Sequence, residues 1–226
     1  MNRRATIILV GILFLYSAQL SAQKGLSVRK AFLEAPEYVF PLLNSNTKQS
    51  MVSNYEGTRG EGEVGKPTMN LLGGQCEIEV MSHSYLRFKL DADTNVELKL
   101  LKRSTSGHYI SMIVTSMVTP RQSVVKFYGA DWLEVNLNGI IDLPETQDFF
   151  VDPENVEQRD VKRALTTSGA LSYEAHYAEE LPILSIRVTS FDEPILQLQF
   201  PTVPNLLKED GISYLWDGKR FKTLSN

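Results

Sequence analysis

Cysteine is nearly absent from this chain: among 226 residues only Cys76 carries a thiol. One cysteine forms no internal disulfide, so an exported chain of this composition must stand on packing. Cys76 alternates with Ile78 and Val80, which places it on an apolar strand face, where a free thiol behaves as a small hydrophobe. Histidine is also scarce. His83, His108 and His176 lie far apart without metal-ligand spacing. Positive charge is not in excess: 23 Lys and Arg stand against 27 Asp and Glu. No basic stripe compensates, which excludes nucleic acid and anionic lipid as electrostatic partners. No G-x-S-x-G, H-E-x-x-H, phosphate loop or dinucleotide fingerprint occurs. The sequence therefore offers no catalytic residue, no metal set and no cofactor motif, and it favours a noncatalytic role over an enzyme.

Long hydrophobic runs are missing too. The longest, Ile7 to Leu15, falls short of the about 20 residues that span a bilayer, and Ser17 and Gln19 follow it. With Asn2-Arg3-Arg4 before it and Leu20-Ser21-Ala22 after it, the run reads as a secretory signal peptide over residues 1–22. No cysteine stands just after the apolar run to accept lipid, since Cys76 lies deep in the chain. The expected mature region, residues 23–226, is periplasmic or secreted and has no membrane span. Losing Arg3 and Arg4 takes the formal charge from −4 to −6. About two hundred residues can bury a full core, in one domain or in two subdomains.

Apolar residues at Ala31, Phe32, Ala35, Val39 and Leu42 recur at helical spacing, with Pro36 opening a second short helix, Glu37 to Leu43, or kinking the first. Lys48 to Tyr55 carries a further turn of helix. "YEGTRGEGEVGKPT", Tyr55 to Thr68, reads as a solvated linker, with an adaptable binding loop as the alternative. From Cys76 the period changes to two. Tyr85 to Leu90, Val96 to Leu100, Tyr109 to Met117, Ser123 to Tyr128 and Trp132 to Val135 predict an antiparallel meander, with the third of these central in the sheet. Leu143 to Leu165 loses the alternation and holds two helical candidates, Glu145 to Val151 and Val156 to Leu165. This is the seam if the mature region has two parts.

Strands resume at Ala170 to Tyr177, Ile183 to Thr189 and Ile195 to Phe200. A short helix, Val203 to Lys208, precedes a hairpin turning at Asp217-Gly218, whose type I′ geometry needs positive φ at both corners. "KFYGADWLEV" and "SYLWDGKRFKTL" each join an aromatic strand to a second strand through a tight turn, which suggests two related halves. The fold class is α+β, mostly β, with antiparallel meander sheets and an N-terminal helical segment.

Asp91-Ala92-Asp93-Thr94-Asn95 has the alternate oxygens of a calcium loop, but Val96 and Lys102 occupy the positions of its glycine and its bidentate glutamate. It reads as a hairpin connection. Ser45-Asn46-Thr47-Lys48 matches S-x-x-K, yet Lys222-Thr223-Leu224 lacks the glycine of the required K-T-G. The aromatics Tyr128, Trp132, Tyr173, Tyr177, Tyr214, Trp216 and Phe221 remain. Tyr128, Trp132 and Trp216 read as core, and an exposed subset of the others would form a stacking face for a glycan or an envelope protein.

The ordered segments "KAFLEAPEYVFPLL", "YLRFKL", "VELKLL", "YISMIVTSMVTP", "SVVKFYGADW" and "YLWDGKRF" together resemble an uncharacterised family of exported Bacteroidales proteins, a domain of unknown function. The glycine-rich segment Glu56 to Lys66 departs from that family, where the region reads as a more regular helix and strand. The resemblance implies a Gram-negative envelope location, and it offers no functional residues to carry over. The expected function is an exported, noncatalytic envelope or binding module of unknown ligand. The alternative is a periplasmic hydrolase acting on cell-wall or glycan material. Intact-mass spectrometry of the protein from its native host should find a chain beginning at Gln23 without added acyl mass. A species that keeps residues 1–22 or carries lipid contradicts that expectation.

Overall fold

The computed structural model describes residues 25–58, 67–136 and 138–224. The leader 1–22 and the stretch 59–66 of the glycine-rich segment lie outside the described residues. Seven consecutive strands form one antiparallel meander: β1 (Thr68–Met69), β2 (Gln75–Met81), β3 (Tyr85–Lys89), β4 (Thr94–Lys102), β5 (His108–Ser116), β6 (Gln122–Tyr128) and β7 (Glu134–Val135). A second antiparallel sheet holds β8 (Tyr173–Tyr177), β9 (Ile183–Val188), β10 (Ile212–Trp216) and β11 (Phe221–Thr223), in the order β11-β10-β9-β8. The class is α+β, mostly β, as the alternation of the sequence implied.

The period of two splits the large sheet into two buried faces. Ile78, Leu86, Phe88, Val96, Leu98, Leu100, Ile110 and Met112 pack beneath helix α1 (Val28–Glu34) and helix α2 (Ser45–Thr58). On the opposite face Tyr85, Leu101, Ile113 and Phe127 meet Ala175, Tyr177, Leu184, Ile186, Tyr214 and Trp216 of the small sheet. The molecule is thus layered helix, sheet, sheet, with a core on each side of the seven strands. Ser27 Oγ accepts from Lys30 N–H at 3.2 Å to cap α1, and Asn44 Oδ1 accepts from Thr47 N–H at 2.8 Å in the first turn of α2. Phe32, Phe40, Phe88 and Trp132 form a chain of tilted and edge-on rings with centroids 5.1–6.0 Å apart.

Residues 138–168 connect the sheets through two 3-10 turns, Thr146–Phe149 and Pro153–Glu157, and helix α3 (Arg159–Ser168). The two helical candidates of the sequence are therefore a pair of short turns followed by one true helix. Asp152 caps the second turn by accepting from Glu154 N–H at 3.0 Å, with Pro153 at its first position.

Several sequence readings are corrected. Pro36 opens no second helix; Val39 N–H and Leu43 N–H bond Pro36 O and Phe40 O in successive turns, and these bury Phe40 and Leu43. Ile195 to Phe200 is a short helix, α4 (Pro194–Gln199), rather than a strand. Leu-Gln-Leu-Gln alternates, but Pro194 sets a helical start, and the turn buries Leu196 and Phe200 four residues apart while Leu198 stays exposed. Val203 to Lys208 shrinks to a 3-10 turn at Pro204–Leu206.

The terminal hairpin is present with a shifted corner. Trp216 pairs with Phe221, and Asp217 N–H bonds Arg220 O at 3.1 Å, so Gly218 and Lys219 are the corner residues. Gly218 has φ +94°, whereas Asp217 stays out of the left-handed region and its carboxylate accepts from Lys219 and Arg220 N–H. Its counterpart after β6 is built differently. There Trp132 itself adopts φ +62° within the turn, and its Nε1 donates to Ala31 O at 3.2 Å.

Two glycines hold the opposite ends of β10. A Cβ on Gly218 would lie 3.3 Å from Ser104, whose N–H bonds Gly218 O at 2.8 Å. A Cβ on Gly211, at φ +67°, would collide with Ile186 O of β9. Urea midpoints should show Gly218→Val destabilised by about 1–2 kcal/mol and Gly211→Ala by about 2–4 kcal/mol, since backbone overlap adds to the dihedral cost. Wild-type midpoints for both variants would contradict this reading of the turn and of β10.

Candidate functional site

Strand β8 is the edge of the small sheet, and it lies over β4, β5 and β6 of the large one. Its pairing with β9 leaves the N–H groups of Ala175 and Tyr177 pointing away from that sheet. The large sheet answers with side chains. Ser123 Oγ accepts from Ala175 N–H at 2.9 Å, and Glu97 Oε2 accepts from Tyr177 N–H at 2.9 Å. One residue pair further along β4, Lys99 Nζ donates to Ala178 O at 3.0 Å and Glu179 O at 2.7 Å. The Tyr177 hydroxyl donates to Ser111 Oγ at 2.7 Å. Burial raises the Tyr177 hydroxyl, raises the Glu97 carboxyl and lowers the Lys99 ammonium. The Tyr177 N–H opposes the shift at Glu97, and Glu179 opposes that at Lys99.

On one side of β8 opens a charged cleft of about 300 Å³, lined in part by Glu79, Arg87, Glu97, Arg121, Glu174 and Arg187. Its charges are mutually bonded. Arg87 reaches Glu79 at 2.9 Å, and Arg121 and Arg187 reach Glu174 at 3.0 and 2.7 Å. Burial alone would raise the Glu174 carboxyl, but the bonds from Arg121 and Arg187 outweigh it and hold the carboxyl below its ordinary range. An acid with a raised pKa beside one with a lowered pKa is the electrostatic pattern of an acid–base pair. Here both carboxylates are occupied by strand edge and guanidinium.

On the other side of β8 lies a pocket of about 250 Å³ between the sheets. Val125, Ile141, Leu143, Phe149, Tyr173 and Ile186 form most of its wall, and no Asp, Glu, Lys, Arg or His lines it. Tyr173 and Phe149 stack at 5.1 Å with an interplanar angle of 34°.

The residues singled out from sequence take these places. Tyr128, Trp132, Tyr177, Tyr214, Trp216 and Phe221 are all buried, so the expected exposed aromatic face does not form; Tyr173 is half-buried and borders the apolar pocket. Their rings fill the two cores instead, with Tyr177 and Trp216 also showing an edge to cavities beside the small sheet. Cys76 is fully buried, with burial pushing its thiol up to about 11. Asp91 accepts from Asp93 N–H at 2.9 Å inside the β3–β4 turn, while Asn95 belongs to β4. Lys48 of the S-x-x-K match is buried with its ammonium on Ala35 O. His176 is exposed on β8. His83 and His108, distant in sequence, line one cavity. Among the described residues no group of three His, Cys, Asp or Glu could hold a metal ion, and no helix is long and apolar enough to cross a membrane.

A model for a protein of unknown function, DUF3256, matches residues 17–221. The chain belongs to the DUF3256 family. Its fold is similar to a domain of an uncharacterized protein from Porphyromonas gingivalis W83, with a TM-score of 0.72 and 19% identity over 87% of this chain and 98% of that one. A likeness at that identity speaks for the fold alone. No curated protein matches this DUF3256 chain.

Glu97 is the residue on which the arrangement turns. Glu97→Ala leaves the Tyr177 N–H without its acceptor and should cost about 1–3 kcal/mol. Glu97→Gln keeps an acceptor without a buried charge. Because burial raises the Glu97 carboxyl above its unfolded value, its contribution is fully present below the unfolded pKa of about 4.3 and is lost as pH rises through the folded value. Wild type should therefore lose stability relative to Glu97→Gln as pH climbs above that range. Paired urea titrations across pH check it, and a gap that widens in favour of wild type would show the sign to be wrong.

Proposed function

We propose that this chain is a noncatalytic binding module of the bacterial cell envelope, exported by the leader over residues 1–22, that takes an apolar group of its ligand into the pocket between the sheets. Residues 23–226 are then the mature region, with 143–165 the seam that joins its two parts. The observation that carries the reading is the pocket beside β8: about 250 Å³, walled mostly by apolar side chains, with no Asp, Glu, Lys, Arg, His or Cys among the described residues that line it. Cavities of roughly 150 Å³ with such walls accept benzene. A site of this kind can hold a ring or a short acyl chain but provides no general base, and its Ser123 hydroxyl is already bonded to Ala175 N–H and Thr115. Half-exposed β-sheet and connection residues, Leu143 above all, give access from solvent.

A second reading, a hydrolase of cell-wall or glycan material, draws on Glu97 and Glu174, whose pKa values are pushed apart. Against it stand the bonds that already occupy both carboxylates.

Saturation-transfer NMR with indole should detect binding with a Kd on the order of 1 mM. Val125→Trp, which fills the pocket, should abolish the signal while the melting transition is retained. Absence of transfer in wild type, or binding untouched by Val125→Trp, contradicts the module reading. Release of soluble fragments from peptidoglycan by wild type but not by Glu97→Gln would establish the hydrolase in its place.

A further inference from the structure

At the end of the large sheet, where β3 begins and β4 ends, a third cavity of about 230 Å³ opens next to the small sheet. His83 reaches it from the β2–β3 turn, Lys102 from the last position of β4, and His108 from the first position of β5. Lys102 and His108 are direct cross-strand partners. None of these three side chains has a hydrogen-bond or ion-pair partner among the described residues. Three basic groups converging on a concave surface without a counter-charge repel one another, and like charges so placed lower stability unless an anion joins them.

Lys99 also lines the cavity, but its ammonium is committed to Ala178 O and Glu179 O. Glu180, from the β8–β9 turn, is the acid among the lining residues and forms no ion pair with the trio. Burial lowers the His108 imidazole, and Lys102 and then His83 lower it further, with no acid opposing them. Apart from Ser84, the rest of the wall is carbon. Trp216 stands there, fixed by its Nε1 donating to Lys102 O at 2.7 Å, with Pro182 and Leu26 beside it.

We infer that this cavity is an anion site in which Lys102, His83 and His108 hold a carboxylate or phosphate group and Trp216 and Pro182 cover the small carbon skeleton that bears it. A lysine ammonium supplies a point charge, and two imidazolium rings supply N–H donors when protonated. Binding favours the protonated histidines, so affinity is high at acid pH and falls as the rings lose their protons. The site is separate from the apolar pocket beside β8 and does not depend on the binding-module reading.

The test follows the imidazole resonances of all three histidines by NMR in the full mature chain. The probes are glucuronate, inorganic phosphate and neutral glucose. Glucuronate keeps one charge across the range and serves for the pH comparison. It should shift the His83 and His108 signals, leave His176 unmoved, and bind roughly tenfold tighter near pH 5.5 than near pH 8, the equivalent of raising one histidine by about one pKa unit. Lys102→Gln, an exposed change, should weaken binding and in the free protein should raise the His108 pKa by removing a cation. Binding of phosphate without glucuronate assigns the site to phosphate, and the reverse assigns it to acidic sugars; either supports the inference. It is overturned if neither anion shifts His83 and His108, if glucose binds as well as glucuronate, if His176 moves with the same ligand dependence, or if affinity ignores pH and Lys102→Gln alike.

Discussion

The capture of a bare strand edge by side chains of another sheet is the interaction on which the rest of the molecule depends. An edge strand exposes a row of unpaired N–H and C=O groups, and proteins either cover such an edge or leave it as a template for aggregation. In β8 the outward N–H groups of Ala175 and Tyr177 end on Ser123 Oγ and Glu97 Oε2, and the carbonyls just beyond the strand end on Lys99. A buried N–H left without an acceptor costs about 1–3 kcal/mol. The polar row of the large sheet therefore does more than fill space. It fixes where the small sheet sits, and the bond from Tyr177 to Ser111 adds a side-chain pin at the same height.

That placement generates the cavities. Because β8 crosses the large sheet along a polar row, apolar side chains of the two sheets meet on one side of it and charged ones on the other. The inter-sheet pocket and the charged cleft share Ala175 in their walls. The cleft's arginines and glutamates are consumed in holding the strand and each other, which leaves the apolar pocket as the accommodating one. The histidine cavity lies where β10 brings Trp216 against the end of β4, so it too depends on how the small sheet is seated.

Much of the fold was legible. Strict alternation in "YLRFKL" and "VELKLL" located β3 and β4, and the apolar run Tyr109 to Met117 located β5, which is hydrogen-bonded on both sides. Gly218 was rightly placed at positive φ. What was illegible shares one cause, which is that a single sequence does not say what covers a strand's polar face. Glu97 and Lys99 occupy alternate positions that suit solvent, yet both are nearly fully buried, because a second sheet from distant sequence lies above them. The same holds for the aromatics, whose spacing was compatible with a stacking face and which instead supply both cores. The helix at Pro194–Gln199 was missed because Leu-Gln alternation outweighed the proline that opens it. His83 and His108 meet through sheet register, and no spacing along the chain encodes that.

The central claim is that Glu97 and Ser123 close the edge of β8 as securely as a neighbouring strand would. Native-state hydrogen exchange of the Tyr177 and Ala175 amides measures this directly, since it reads the opening free energy of each N–H. The account predicts protection for both comparable to that of amides within the β8–β9 ladder, such as His176. Exchange of Tyr177 and Ala175 at the rate of an open edge, with the ladder amides still protected, would mean that the two sheets are not held together in this way.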